Sequence, residues 1–309
     1  MSFERIGILS IGEMGYHWAR VLGGHGVKVF SCVDGRSAAT RERARSIGVE
    51  LVPSLVELVS QVDLIVSIVV PSAAKEIAEQ VALALTKSGR TGLYYVDANA
   101  VSPMTAESLG RALTQAQAHY IDGCIIGGAA KLDRGTVVYV SGPEASRLSA
   151  LNESGLRVKV LGPNATQASA FKIIHAGLSK GLAGLFTELL VGANALGLLD
   201  ETLADYDENH PGLLQKISNS IASLPVHAKR RSEEMIELRE TFAYYGIAPV
   251  VVPSVEKILS SIADLNTGEA ATRQESLVDT IKLFSDRGLL RVESAPDRPR
   301  NEKSPSRSG

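Results

Sequence analysis

Short β-branched runs alternating with amphipathic stretches dominate the first half of this chain. RIGILS, VKVFSCV, DLIVSIVV, LYYVDA and AHYIDG, starting at Arg5, Val27, Asp63, Leu93 and Ala118, read as strands bounded by turn residues. Between them, Met14–Leu22, Ala38–Ile47, Ser72–Lys87 and Pro103–Gln117 read as helices. Such alternation implies a parallel, doubly wound sheet with right-handed crossovers. GTVVYVS (135–141) and RVKVL (157–161) extend that sheet.

After Gly162 the texture changes. Ala165 to Leu198 has no internal proline and reads as one long helix, rich in Ala, Leu and Gly. Pro211–Leu224, Pro225–Tyr245, Pro253–Leu265 and Ala270–Arg287 read as further helices, three of them with proline where a helix tolerates it, at or near the start. The expected organisation is an α/β domain over 1–163, an all-α domain over 164–292 and a disordered polar tail over 293–309, with the boundary near Gly162–Asn164.

Composition narrows the function classes. A formal charge of -2 gives no global field to recruit nucleic acid or an anionic membrane. The longest apolar run, Leu64–Val70, is about a third of a membrane span and stops at Pro71. Phe3–Ser10 reads directly as a strand, which leaves no room for a leader. Cys32 and Cys124 have neither the number nor the spacing of a disulfide framework or a zinc site, so no metal is expected. A cytoplasmic protein acting on a small-molecule substrate fits.

The turn ILSIGEMG (8–15) approximates G-x-G-x-x-G, with Ser10, Gly12 and Gly15 in the glycine places. The first glycine of such a turn permits the bend, the second lets backbone approach a pyrophosphate, and the third lets helix pack on strand. Only the bend position is altered. The turn follows the first strand and opens a helix, the context a dinucleotide site needs. Ser10, Ile11, Gly12, Glu13, Met14 and Gly15 are therefore candidate cofactor residues. After strand two, Asp34, 19 residues beyond Gly15, could bind ribose hydroxyls and favour NAD(H). Arg36 and Ser37 could bind a 2′-phosphate instead. The two readings conflict, and Arg36 with Ser37 point to NADP(H) as the expected cofactor.

Taken together with four later stretches, IGILSIGEMG (6–15) resembles the β-hydroxyacid dehydrogenase and 6-phosphogluconate dehydrogenase superfamily, whose opening is IGFIGLGxMG. VSIVVPSA (66–73) looks like its fourth-strand cofactor contact, which implies roles for Val69, Val70 and Pro71. VDANAVSP (96–103) resembles the motif beneath the nicotinamide and assigns Asn99. IDGCIIGGAA (121–130) is similar to the D-A-P-V-S-G-G substrate loop, and FKIIHAG (171–177) to the catalytic K-x-x-N/H helix. HAKRRSEEMIELRETF (227–242) looks like the C-terminal domain of a phosphogluconate-dehydrogenase-like branch. The resemblance implies a Rossmann domain followed by a helical domain that forms a homodimer. It makes Lys172 the acid/base, His175 its orienting partner, and Ile126, Gly127, Gly128 and Ser179 the substrate side. On a helix, Lys172 and His175 share a face.

Three departures accompany the resemblance. Ile126 replaces the family serine that helps hold a substrate carboxylate. Ser179 stands where decarboxylating members carry a glutamate acid, and Ala176 replaces a common asparagine. The expected activity is NADP(H)-preferring hydride transfer between nicotinamide and a small hydroxy acid or related carbonyl compound. Imine reduction on the same scaffold and a non-catalytic NADP-binding sensor or scaffold are the alternatives.

Overall fold

A computed structural model describes residues 3–32, 34–35, 37–265 and 276–291. The chain divides into two compact units, one up to Ile173 and one from Ile174 onward.

The first unit is built on eight strands: β1 (Arg5–Leu9), β2 (Lys28–Cys32), β3 (Glu50–Val52), β4 (Leu64–Ser67), β5 (Tyr94–Asp97), β6 (His119–Ile126), β7 (Val137–Ser141) and β8 (Val158–Gly162). Their spatial order is β3-β2-β1-β4-β5-β6-β7-β8. All neighbouring pairs are parallel except β6 with β7. This is the mostly parallel, doubly wound sheet that the alternation predicts.

Five helices connect the strands: α1 (Glu13–Gly24), α2 (Ala38–Arg45), α3 (Leu55–Gln61), α4 (Ala74–Ser88) and α5 (Pro103–Gln115). Because the sheet is covered on both faces, its central strands are apolar throughout rather than alternating. Leu64, Ile65 and Val66 of β4 are all fully buried. One core forms on each face. Ile6, Ile8, Trp18 and Leu22 belong to the first, and Leu58, Val81, Tyr95 and Leu113 to the second. Each fully buried Leu or Ile side chain contributes roughly 1.5–3 kcal/mol.

Two elements of this unit are absent from the alternation seen in sequence. Strand β3 has only three residues, too few to show a period. Helix α3 has only seven, yet Ser54 accepts a hydrogen bond from the Glu57 amide at 3.2 Å, and S-x-x-E is a helix-start signal.

Helix α6 (Gln167–Leu196) forms as one uninterrupted element, as its proline-free sequence predicts. The second unit then carries α7 (Leu199–Asn209), α8 (Leu213–Ala222), α9 (Leu224–Tyr244), α10 (Val251–Asp264) and α11 (Leu277–Asp286). Helix α7, polar and acidic, was not anticipated by proline punctuation. Arg231 of α9 ties α8 to α9 by donating to the Ser220 carbonyl at 2.7 Å and to Ser223 Oγ at 2.8 Å. The expected tail (293–309), and residues 270–275 of the expected last helix, lie outside the described residues. Among the described residues, no helix is long and apolar enough to cross a membrane.

Candidate active site

Strand order reverses between β1 and β4, and crevices at such reversals, outside the carboxyl ends of the strands, are where α/β sheets bind ligands. Beyond the end of β1, Ser10 takes φ +79°, the left-handed conformation that a glycine would supply. For an L-residue that conformation costs roughly 1–2 kcal/mol. The serine thus preserves the bend at an energetic cost. A Cβ on Gly15 would overlap the Ser10 carbonyl oxygen, so only glycine lets the helix sit this close to the loop.

Gly12 is extended, and a Cβ there would meet only Ser10 Oγ at 3.7 Å. Helix α1 starts at Glu13 without a side-chain cap, whereas Ser37, Ser54 and Ser102 cap α2, α3 and α5. Its leading amides form a positively polarised end that suits a pyrophosphate. Ile11 is buried and anchors the loop, Met14 is half-buried against the core, and Glu13 is exposed. The residues present fit a dinucleotide.

Beside this turn lies a cavity of about 360 Å³, bounded by Ser10, Cys32 and Asp34 on the sheet side and by Leu55, Val56 and Leu83 of α3 and α4. Ser37 is exposed and caps α2 through the Thr40 amide at 3.2 Å. Arg36 lies outside the described residues.

The loops after β4, β5 and β6 form the other side. Asn99 is nearly fully buried. Its Oδ1 accepts from the Val69 amide at 2.6 Å, while its Nδ2 donates to Ser67 Oγ at 3.1 Å and to Asp97 Oδ1. It therefore braces the Val69–Pro71 loop, in which Val70 and Pro71 are exposed. Beyond half-buried Ile126, Gly127 adopts φ +129° directly over Thr136. Thr136 Oγ1 donates to the Gly128 carbonyl at 2.6 Å, which fixes the loop. Thr136 carries no sequence signal beyond its place in a strand-like run.

Lys172 of α6 is half-buried, and its Nζ donates to the Ile125 carbonyl at 2.6 Å, one residue before this loop. Two buried carboxyls, Asp97 and Asp122, stand opposite each other on β5 and β6. Burial pushes Asp122 up to about 6, against the pull of its donors Ser169 and Ser141. Burial also raises Asp97 to about 7, with Asn99 donors lowering it and the Asp122 charge raising it. The Cys124 thiol is pushed up to about 12, chiefly by burial, although Lys172 pulls it down. The two carboxyls do not stand out as a pair in the motifs of the sequence. A signal existed, since Tyr-Val-Asp (95–97) and Tyr-Ile-Asp (120–122) repeat in two neighbouring strands. His175 and Ser179 fall in the second unit, both exposed, and Ser179 Oγ donates to the Ala176 carbonyl at 2.9 Å.

Comparison with known proteins bears on the fold and on the first domain. Residues 5–154 match the NAD binding domain of 6-phosphogluconate dehydrogenase, and residues 193–262 match a domain of unknown function, DUF1932. An uncharacterized 28.5 kDa protein of Methanothermus fervidus is 28% identical over 263 residues, covering 84% of this chain and 99% of that protein. The solved structure of a conserved protein of unknown function, described as structurally similar to 3-hydroxyacid dehydrogenases, superposes with a TM-score of 0.72. It is 27% identical, with 87% of this chain and 98% of that chain covered. The 3-hydroxyisobutyrate dehydrogenase of Mycobacterium tuberculosis, solved with L-serine, shares the fold at a TM-score of 0.71. That pair is 17% identical over 92% of this chain and 99% of the other.

Proposed function

We propose that this chain, whose residues 5–154 match the NAD binding domain of 6-phosphogluconate dehydrogenase, is a member of the β-hydroxyacid dehydrogenase and 6-phosphogluconate dehydrogenase superfamily and an NADP(H)-preferring oxidoreductase acting on a small hydroxy acid or related carbonyl compound. The observation that carries this reading is the Lys172 ammonium held at 2.6 Å by the Ile125 carbonyl, next to the Ile126–Gly128 loop.

A nicotinamide cofactor, when bound, supplies or accepts the hydride. The chain's own residues do the rest. Ser10 to Gly15 hold the pyrophosphate through backbone amides, and Arg36 with Ser37 take the 2′-phosphate. Val69, Val70 and Pro71 line the nicotinamide side, braced by Asn99. Reduction of a carbonyl leaves an oxygen that gathers negative charge; Lys172 gives it a proton and takes it back in the reverse direction. The Gly127 and Gly128 amides are donors for a substrate oxygen. His175 and Ser179 complete the substrate set on the strength of the resemblance.

Homodimerisation is part of this reading. Along α6, Ile174, Leu178, Leu185, Leu189 and Leu196 are 44–67% exposed, and a Cβ on Gly181 or Gly192 would meet nothing within 4 Å. A second copy would cover that apolar stripe. A second activity, imine reduction, is favoured by Ile126, which puts an alkyl group where a carboxylate-binding serine would stand.

Two measurements test the proposal. NADPH fluorescence should respond more strongly to the protein than NADH fluorescence; equal responses overturn the cofactor preference. Across hydroxy acids, aldehydes and cyclic imines, turnover should drop roughly 10²–10⁴-fold in Lys172→Met, the range for losing a general acid/base. Full activity in that variant removes Lys172 from the chemistry.

A further inference from the structure

A buried polar row crosses four strands, at the ends of β4, β5 and β7 and in the middle of β6. Ser67 of β4, Asp97 of β5, Asp122 of β6 and Ser141 of β7 are register neighbours in turn, and none is more than 1% exposed. Like charges directly opposite each other on adjacent strands repel, the more so in a core. The hydrogen bonds show how the pair resolves this. Asp122 accepts from the Ser169 amide at 2.9 Å, from Ser169 Oγ at 2.6 Å and from Ser141 Oγ at 3.2 Å. Ser141 Oγ in turn accepts from the Ala168 amide at 2.9 Å. Asp97 uses Oδ1 for the Asn99 amide and side chain, while its buried Oδ2 has no partner among the described residues. Three donors place the charge on Asp122, and the lone oxygen of Asp97 is where a proton belongs.

Asp122 is therefore a helix cap supplied from a strand. It satisfies the first turn of α6, and three residues further along both elements the Ile125 carbonyl receives Lys172. Both contacts join residues 47 apart in sequence. We propose that Asp122 is a positioning residue for Lys172: its carboxylate sets the register of α6 on β6, and protonating it loosens the Lys172–Ile125 contact. This rests on the reading of Lys172 as the proton-handling group.

Among the described residues, Asp97 of β5 and Tyr120 and Cys124 of its own strand interact electrostatically with Asp122, while Ser141 of β7 and Ser169 of α6 donate to it. Tyr95 of β5 acts on Asp97 and Tyr120, and Lys172 of α6 on Cys124. Both tyrosines are pushed upward by burial and stay neutral near pH 7. Burial pushes the two carboxyls into the neutral range, Asp122 up to about 6 and Asp97 up to about 7.

The test follows Lys172 itself. In full-length protein with ¹³C-dimethylated lysines, the Lys172 signal, assigned with Lys172→Arg, should step near pH 6. Asp122→Asn should abolish the step and move the signal toward that of a solvent-exposed lysine, whereas Asp97→Asn should keep a step. A step that survives Asp122→Asn, or a Lys172 signal that does not move, overturns the proposal. If Asp122→Asn does not fold, Ser169→Ala and Ser141→Ala remove donors one at a time and should each displace the signal; no displacement in either is equally fatal. The outcomes separate cleanly from the parent reading. Full turnover in Lys172→Met defeats the chemistry whatever this signal does, and an unmoved signal defeats the positioning whatever Lys172→Met does.

Discussion

Helices α1 and α6 both start beside the carboxyl edge of the sheet, and their first turns are finished in opposite ways. At α1 the chain offers Gly12 and bare amides, with no side-chain cap. At α6 the first turn is filled by Asp122 and Ser141, reaching in from β6 and β7. A helix start carries about half a positive charge wherever it stands. The difference teaches that this charge does not by itself make a binding site. An internal carboxylate uses it to fix a helix, and small residues leave it to a ligand.

The largest effect should come from breaking the open start. In Gly15→Ala the new methyl overlaps the Ser10 carbonyl oxygen, so the turn cannot keep its shape. Dinucleotide affinity should fall at least about 100-fold, about 2.7 kcal/mol. Fluorescence titration measures the loss, and circular dichroism verifies that the variant is folded. Wild-type affinity in a folded variant would mean that α1 is not the phosphate end.

An intermediate effect should come from the filled start. Asp97 and Asp122 both titrate higher in the folded chain than the ordinary 3.8. The folded state thus binds more protons than the unfolded one between about pH 4 and pH 7, and stability falls as pH rises through that window. Urea unfolding should show a loss of about 4 kcal/mol from about pH 5 to about pH 8, and Asp97→Asn should remove most of it. An undiminished slope in the variant would assign the pH dependence to other groups. The charge on Asp122 that orders α6 is then held at a cost in stability.

The smallest effect sharpens the open side. Ser10→Gly relieves a left-handed serine and should raise stability by about 1 kcal/mol. A decrease in the urea midpoint would instead show that the Ser10 hydroxyl holds the loop together.

Much of the fold was legible because period and punctuation encode it. The runs at β1, β2, β4, β5, β6, β7 and β8 all became strands, and the proline-free stretch became α6. Helix α3 was missed although Ser54 and Glu57 announce it, because seven residues are too few for a helical period to stand out. In the candidate site, Ser10 to Gly15 and Lys172 could be read from local spacing and resemblance. Thr136 could not, since its reason for being there is a glycine eight positions away that needs support from below.

What the sequence by itself determined is local: which segments alternate, where most of the helices lie, and that the bend before α1 has only small residues at its key places. These follow from backbone sterics and from periods of about two and 3.6 residues, which act over a few positions. Tertiary structure alone decided that Asp97 stands beside Asp122, and that Asp122 and Ile125 seize residues 47 positions further along. Strand register and helix docking set those meetings, and both emerge only when the whole sheet closes on its core.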